Sequence, residues 1–496
     1  MSTRPSIAMP RAMPAVDSEE ANRKAGKVNL LRSVAVLAGG TALSQLVYAV
    51  AFPLITRIYE PAQIGMLGVF TSVVSTLAIV ASVGYQLAIP IPGSTRVAVN
   101  LLGISVSTAV AAGVVLSVAV GVGGAAYARW ANAPGLASFL WLAPITLTVM
   151  GVYQALTYWA TRKHAYSAIS LTRSAQSVTQ AAVQVGAGIA GLGVGGLVVG
   201  FAISQFVGIA ALLRRAPPPL QQVAFSAWRR VARQYKEFPL FTAPASLVNV
   251  IGVQMPVVLF SAWFSAASAG HFMLTMRILG LPLALVGRAC AQVFFPTIAR
   301  CGSDGDRARE LVERTAVFLS YASVTVFAIL ITQAPNLFII AFGTEWSEAG
   351  RYAQLLSFWF MCSLVSSALS GTALVKKRQR TALWITTYET TARLLAIAFG
   401  AVFGSPVLAV GMFAVAGVVI CLIYIGWTLR IVGSSWGHLL RRLRPLGASS
   451  GVLLTCLLLL TLPKSPTVAV AGSVVCVFVF GVWALRTGKY ALTVGT

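Results

Sequence analysis

Apolar residues run along this chain in long blocks separated by short polar gaps. A membrane-spanning helix needs about 20 predominantly apolar residues. By that criterion there are fourteen candidate helices, centred near Ser44, Ser75, Val114, Thr146, Thr179, Phe201, Ile251, Ala284, Val326, Leu364, Leu394, Val415, Leu453 and Cys476. The gaps at 189–193 and 463–466 are short enough to predict helical hairpins. The pattern predicts an all-α polytopic membrane protein. Its expected parts are a cytoplasmic basic tail (1–31), a six-helix bundle (32–214), a cytoplasmic amphipathic linker (215–237), a second six-helix bundle (238–430) and two extra transmembrane helices (431–496). Basic amphipathic stretches around 214–237 and 300–313 are expected to lie along the membrane interface.

Composition agrees with this reading. Hydrophobic residues make up 57% of the chain and charged residues 10%, where a soluble domain carries roughly 25% charge. The net charge of +25 would suggest nucleic acid in a soluble protein, but here the bases sit in short loops and orient helices, so no nucleic-acid partner is expected. With the N-terminus inside, 29 of the 37 Lys and Arg fall in cytoplasmic segments and four (Arg57, Arg129, Arg351, Lys464) fall outside. That asymmetry predicts cytoplasmic N- and C-termini. Residues 1–31 lack the apolar core of a cleavable signal, so the first helix is expected to act as an uncleaved anchor. The six cysteines show no CxxC spacing and read as buried apolar residues. The three histidines are scattered, so neither a metal site nor an enzyme's active-site constellation is expected.

The chain also repeats itself. A shift of 205 residues aligns Pro53–Gly65 with Val258–Gly270, Tyr59 with Phe264, and the proline ending the next helix, Pro90, with Pro296 to within a residue. A repeat spanning an even number of helices predicts two halves of like orientation around a central axis, which is a transporter architecture.

Four stretches resemble a known family. Gly39-Gly-Thr-Ala-Leu-Ser-Gln45, Pro53-Leu-Ile-Thr-Arg-Ile-Tyr-Glu-Pro61 with Ile64-Gly65, and Tyr85-Gln-Leu-Ala-Ile-Pro90 are similar to the Wzx-like oligosaccharide flippases. These form the polysaccharide-transport branch of the superfamily that also holds MATE multidrug extruders and lipid II flippases. Phe342-Gly-Thr-Glu-Trp-Ser-Glu-Ala-Gly350 resembles the family's outer loop before helix ten. The resemblance implies two six-helix bundles in a V-shaped, alternating-access transporter of the bacterial inner membrane. The implied substrate is an undecaprenyl-pyrophosphate-linked oligosaccharide carried among membrane lipid, with a polysaccharide polymerase and a chain-length regulator as expected partners. A multidrug or lipid II transporter is the nearest alternative, and a membrane polymerase or glycosyltransferase a more distant one.

Such a headgroup needs fixed cations for its phosphates and amides for its sugars. Arg suits phosphate because its fork makes bidentate, charge-assisted hydrogen bonds. Four arginines are not needed for topology: Arg173, Arg277, Arg288 and Arg393. Charge inside a bilayer is costly and is usually kept for function. Arg288 lies 12 residues from Arg300, roughly 18 Å from the inner edge, and Arg393 is equally deep. Arg277 lies near the outer mouth, and Arg173 could instead snorkel inward. Arg173, Gln176, Gln180 and Gln184 fall on one helical face, as do Arg277, Arg288 and Gln292, so both faces are expected to line the cavity. Glu389 is the only carboxylate expected deep in the membrane. Four residues before Arg393, it either closes a structural ion pair or binds the coupling ion, H+ or Na+, and so frees Arg393. Glu60, beside Arg57 at the mouth, is the second candidate acid. No other cofactor is expected. Pro53, Pro144, Pro244, Pro256 and Pro282 mark expected kinks or bending points.

Overall fold

The computed structural model describes residues 39–40, 43–302, 304–460 and 466–493, without the side chains at 288–289, 448, 466 and 484–493. The basic tail 1–31 and most of the expected 463–466 turn lie outside the described residues. The described residues form helices and turns with no strand. In the first half run α1 (Leu43–Ile58), α2 (Pro61–Ala81), the single turn α3 (Tyr85–Ala88), α4 (Thr95–Trp130), α5 (Leu142–Arg162), α6 (Tyr166–Ile189) and α7 (Gly193–Arg215). The linker carries α8 (Phe225–Gln234). The second half runs α9 (Ala243–Trp263), α10 (Ala266–Pro282), α11 (Arg288–Arg300), α12 (Gly305–Phe342), α13 (Ser347–Leu369), the short α14 (Gly371–Val375), α15 (Gln379–Val402) and α16 (Pro406–Ile431). Then follow α17 (Trp436–Leu459) and α18 (Pro466–Thr493).

Every predicted centre falls within one of these helices or within the π turn joining α10 to α11. Among the described residues eight segments are long and apolar enough to span a membrane by themselves. The other helices are shorter or less apolar. The 189–193 junction is the predicted hairpin, with Gly191 at φ +74°. Among the expected helix breaks, Pro144 lies in the first turn of α5, where no intrahelical N–H is lost and no kink follows; Pro244 follows a π turn, Phe238–Thr242, that runs directly into α9. Pro282 does break its helix: residues Leu283–Gly287 form a π turn between α10 and α11.

The linker helix α8 packs on α4. The Ala224 N–H donates to Asn100 Oδ1 at 2.9 Å, and the Trp228 ring covers Gly103 so closely that a Cβ there would lie 2.9 Å from it. The second expected interfacial stretch is different. Residues 305–313 are the first turns of α12, begun by Asp304, whose carboxylate accepts from the Arg307 N–H at 3.0 Å. The physical reason is Glu313. It is 2% exposed and accepts from Arg309 Nε at 3.0 Å, from Arg442 Nε at 3.1 Å and from the Ser434 hydroxyl. Arg309 also reaches His438 Nδ1. This ionic knot binds the start of α17 to α12 and draws the head of α12 into the protein.

The two halves meet at one end, through the repeat. Gly65 on α2 and Gly270 on α10 lie against each other. A Cβ on Gly65 would collide with the Ala266 carbonyl and stand 2.9 Å from Gly270 N; a Cβ on Gly270 would collide with the Pro61 carbonyl and stand 3.0 Å from Gly65 N. Each contact maps onto the other by the same 205-residue shift, so the helices cross about a pseudo-two-fold axis. Small residues permit this approach between membrane helices. Hydrogen bonds close the same end. Asn132 Nδ2 donates to the Ala262 carbonyl at 3.0 Å and Arg57 Nη2 to the Ile340 carbonyl at 3.1 Å. The buried Trp346 indole donates to the Thr56 carbonyl at 3.0 Å, and the Ser261 hydroxyl donates to the Ala131 carbonyl at 2.5 Å. The stretches 53–61 and 342–350, chosen by resemblance, thus touch each other.

Candidate functional site

Just inside this closed end the halves part around a cavity of 490 Å³. The first half contributes Ser44, Gln45, Tyr48 and Ala49 from α1 and Ser177 and Gln180 from α6. The second half contributes Val253, Gln254 and Val257 from α9, Phe272, Met273, Met276, Arg277, Gly280 and Leu281 from α10, and Ala284 from the π turn. The lining is therefore amide, hydroxyl and apolar, with one guanidinium.

Arg277 is held by aromatic faces. Its guanidinium carbon lies 4.2 Å from the centre of the Tyr48 ring and 4.9 Å from that of Phe52. Each such contact contributes about 0.5–2 kcal/mol and leaves the N–H donors free. Nη1 is buried without a hydrogen-bond partner among the described residues. A buried charged donor left in that state costs free energy that an anionic ligand would recover.

Tyr48 links this cation to the amides. Its hydroxyl donates to Gln184 Oε1 at 2.6 Å and accepts from Gln180 Nε2 at 3.1 Å. Gln180 reaches the cavity wall. Gln184 does not: it is 0% exposed, it donates to the Leu197 carbonyl at 3.0 Å, and its own carbonyl accepts from the Tyr59 hydroxyl at 2.7 Å. Gln176 turns to α7, where its amide donates to Gln205 Oε1 at 3.3 Å. Arg173 bonds to Tyr153 of α5. The predicted stripe is therefore divided. Gln180 faces the cavity, while Arg173, Gln176 and Gln184 bind neighbouring helices of the first half. A helical face is wide enough to touch two environments, and the sequence period could not distinguish them.

The expected face of Arg277, Arg288 and Gln292 is interrupted by a π turn. It assumed 3.6 residues per turn, and the π turn at Leu283–Gly287 shifts that register. Arg288 opens α11, and its side chain lies outside the described residues. Gln292 is exposed and does not line this cavity. Arg393 and Glu389 lie within the second half as an ion pair, Nη2 to Oε1 at 3.5 Å, with side-chain exposures of 13% and 21%. Arg393 rests over Trp359 at 4.7 Å and Phe413 at 5.2 Å. Glu60 is an exposed helix cap, its N–H bonded to Gln63 Oε1 at 3.1 Å. Tyr48, Gln45 and Gln254 were missed. Gln45 and Gln254 carried a legible signal, since an amide inside an apolar block needs a polar partner or a cavity. Among the described residues no cluster of three metal-ligating side chains occurs.

Two helical halves closed at one end around a polar cavity define a membrane transporter fold. The chain belongs to the family described as "Polysaccharide biosynthesis protein", whose model matches residues 54–351. That match opens at one of the two stretches that meet at the closed end and finishes at the other. The succinoglycan biosynthesis transport protein ExoT of Rhizobium meliloti (strain 1021) is 25% identical over 254 residues, covering 50% of this chain and 47% of that protein. The match therefore spans about half of that relative. Among solved structures, the lipid II flippase MurJ in an inward closed conformation aligns with a TM-score of 0.70 at 11% identity, covering 91% of this chain and 99% of that one. An inward-facing multidrug resistance MATE transporter of the MOP superfamily aligns with a TM-score of 0.65 at 13% identity, covering 78% and 94%. At these identities the likeness is one of fold.

Proposed function

We propose that this protein is a flippase that moves undecaprenyl-pyrophosphate-linked oligosaccharide units across the bacterial inner membrane by alternating access. In this reading both termini are cytoplasmic and the closed end faces the periplasm, so the cavity takes its cargo from the cytoplasmic leaflet. The observation that carries it is Arg277: a cation on the cavity wall, oriented by two aromatic rings, with a buried N–H that no protein group satisfies. A pyrophosphate would satisfy it. Gln45, Gln180, Gln254 and Ser177 supply donors and acceptors for sugar hydroxyls. A cationic drug would favour a cavity lined with carboxylates, and the described lining has none. Family membership favours a saccharide cargo over a drug.

Coupling to H+ or Na+ is assigned to the Glu389–Arg393 pair. A carboxylate that takes up a cation releases its arginine and changes the packing of α15 against α13 and α16. The expected partners are a polymerase and a chain-length regulator acting on the delivered units. The test is flipping of a lipid-linked oligosaccharide by purified protein in proteoliposomes, alongside complementation of a strain lacking its own flippase. Arg277→Ala should reduce flipping at least tenfold, and Arg277→Lys should restore only part, because a point charge lacks the fork. Full activity of Arg277→Ala would remove the pyrophosphate assignment.

A further inference from the structure

A second cationic site lies outside the central cavity. The turn between α14 and α15 faces the end of α16 across a cup of 440 Å³ lined by Lys376, Arg378, Thr381, Trp427, Arg430 and Ile431. It holds three cations and no carboxylate. None of the three makes an ion pair among the described residues. Arg378 and Arg430 are exposed, while Lys376 and Trp427 are half-buried. Like charges gathered without counter-charge repel one another, and an anion in the cup would offset that repulsion.

The surroundings indicate what kind of anion. Beside the cup lies a cleft of 500 Å³ whose walls include Phe295, Ala368, Leu374, Ala382, Leu383 and Tyr424. The two share a wall. Thr381 of α15 faces the cup and Ala382 faces the cleft; Trp427 of α16 faces the cup and Tyr424 faces the cleft, their ring centres 5.5 Å apart. Helix α16 holds the most apolar 18-residue window among the described spanning helices, with a mean hydropathy of 2.7, and the cup sits at its basic end. Trp, Tyr and Arg at the end of such a helix mark the bilayer interface. Basic pockets between helices at that level take anionic lipid headgroups. A free phosphate would need the cup but not the cleft. A phosphate joined to acyl chains would fill both.

We infer that this cup and cleft bind an anionic glycerophospholipid of the leaflet facing that end, with its phosphate among Lys376, Arg378 and Arg430 and an acyl chain in the cleft. The central cavity draws its walls from α1, α6, α9 and α10 and shares no residue with the cup. The site is therefore separate from the one assigned to cargo and does not depend on that assignment.

The experiment is native mass spectrometry of the full-length, delipidated protein titrated with phosphatidylglycerol or zwitterionic phosphatidylcholine. Wild type should prefer phosphatidylglycerol. The triple variant Lys376→Gln/Arg378→Gln/Arg430→Gln should bind it on the order of 100-fold more weakly, and Arg430→Gln alone about fivefold more weakly. Arg229→Gln/Arg230→Gln/Arg233→Gln on α8 should leave the preference intact. The single variant keeps the test open if the triple variant fails to fold. Wild-type binding in Arg430→Gln and the triple variant would overturn the inference. So would full displacement of phosphatidylglycerol by inorganic pyrophosphate at equal concentration, which would mark a free-phosphate site. Tighter binding of undecaprenyl pyrophosphate than of phosphatidylglycerol, lost in the same variants, would assign the cup to cargo and overturn it as well.

Discussion

The Gly65–Gly270 contact makes a prediction whose size can be worked out. A methyl at Gly65 would overlap the Ala266 carbonyl, and one at Gly270 would overlap the Pro61 carbonyl. Comfortable carbon–oxygen contacts lie at about 3.3–3.6 Å, so α2 and α10 would have to separate by more than an ångström at the crossing. The atoms in the way are backbone and cannot move aside. Overpacking of this kind costs about 1–3 kcal/mol. The strain exists only while the two halves are closed at this end, so the ratio of closed to open form should fall by roughly 5- to 150-fold in Gly65→Ala. Gly270→Ala should do the same. The double variant should cost less than the sum, because separating the helices once relieves both clashes. Closure can be read from cross-linking of Asn132→Cys to Ala262→Cys, a pair joined at 3.0 Å in the closed form, in a background without the six native cysteines. Transport should fall in parallel. If Gly65→Ala cross-links and transports like the parent, the glycine pair is not what permits closure. A lower melting temperature with unchanged cross-linking would refute the argument equally, since it would mean that both states were destabilised alike.

Three further predictions follow from other contacts. Tyr48→Phe keeps the ring beneath Arg277 but removes the hydroxyl that Gln180 and Gln184 share; leaving buried Gln184 Oε1 unpaired should lower stability by about 1–2 kcal/mol, measured by thermal unfolding in detergent. Glu389→Gln should make transport independent of an imposed ion gradient while protein levels stay normal, and a retained gradient dependence in proteoliposomes would exclude the pair as the coupling site. Glu313→Gln leaves Arg309 and Arg442 without their shared, buried counter-charge; it should cost about 3 kcal/mol and expose the 432–436 turn to protease, whereas unchanged cleavage would show that the knot does not hold α17.

Much of the fold was legible because a bilayer leaves helices few alternatives. The fourteen apolar blocks became helical rods, and the 205-residue shift proved to be a physical symmetry at Gly65 and Gly270. The site was harder to read. Periodicity places Arg173, Gln176, Gln180 and Gln184 on one face, but that face touches α5, α7 and the cavity in turn, and only coordinates separate them. Between Arg277 and Gln292 a five-residue π turn after Pro282 changes the register, and nothing in single-residue spacing announces it. The burial of Glu313, at the end of a stretch expected along the interface, was not legible because its partners, Ser434 and Arg442, lie more than a hundred residues away.

Depth in the bilayer is therefore a weaker guide to a functional arginine than the groups around it. Arg393 and Arg277 both rest on two aromatic rings, and Arg393 was expected to be the deeper. Yet Arg393 has a carboxylate at 3.5 Å. At an effective dielectric of about 20 that attraction is about 5 kcal/mol, which a phosphate would have to replace. Among the described residues Arg277 has no such competitor, and its Nη1 is already unpaired. An anionic cargo should thus engage Arg277 whatever the state of the coupling ion, and Arg393 only once Glu389 has been neutralised. Under the proposed function the two arginines would have distinct tasks: Arg277 would select the cargo by its charge, and Arg393, through Glu389, would make the response of the second half depend on the ion.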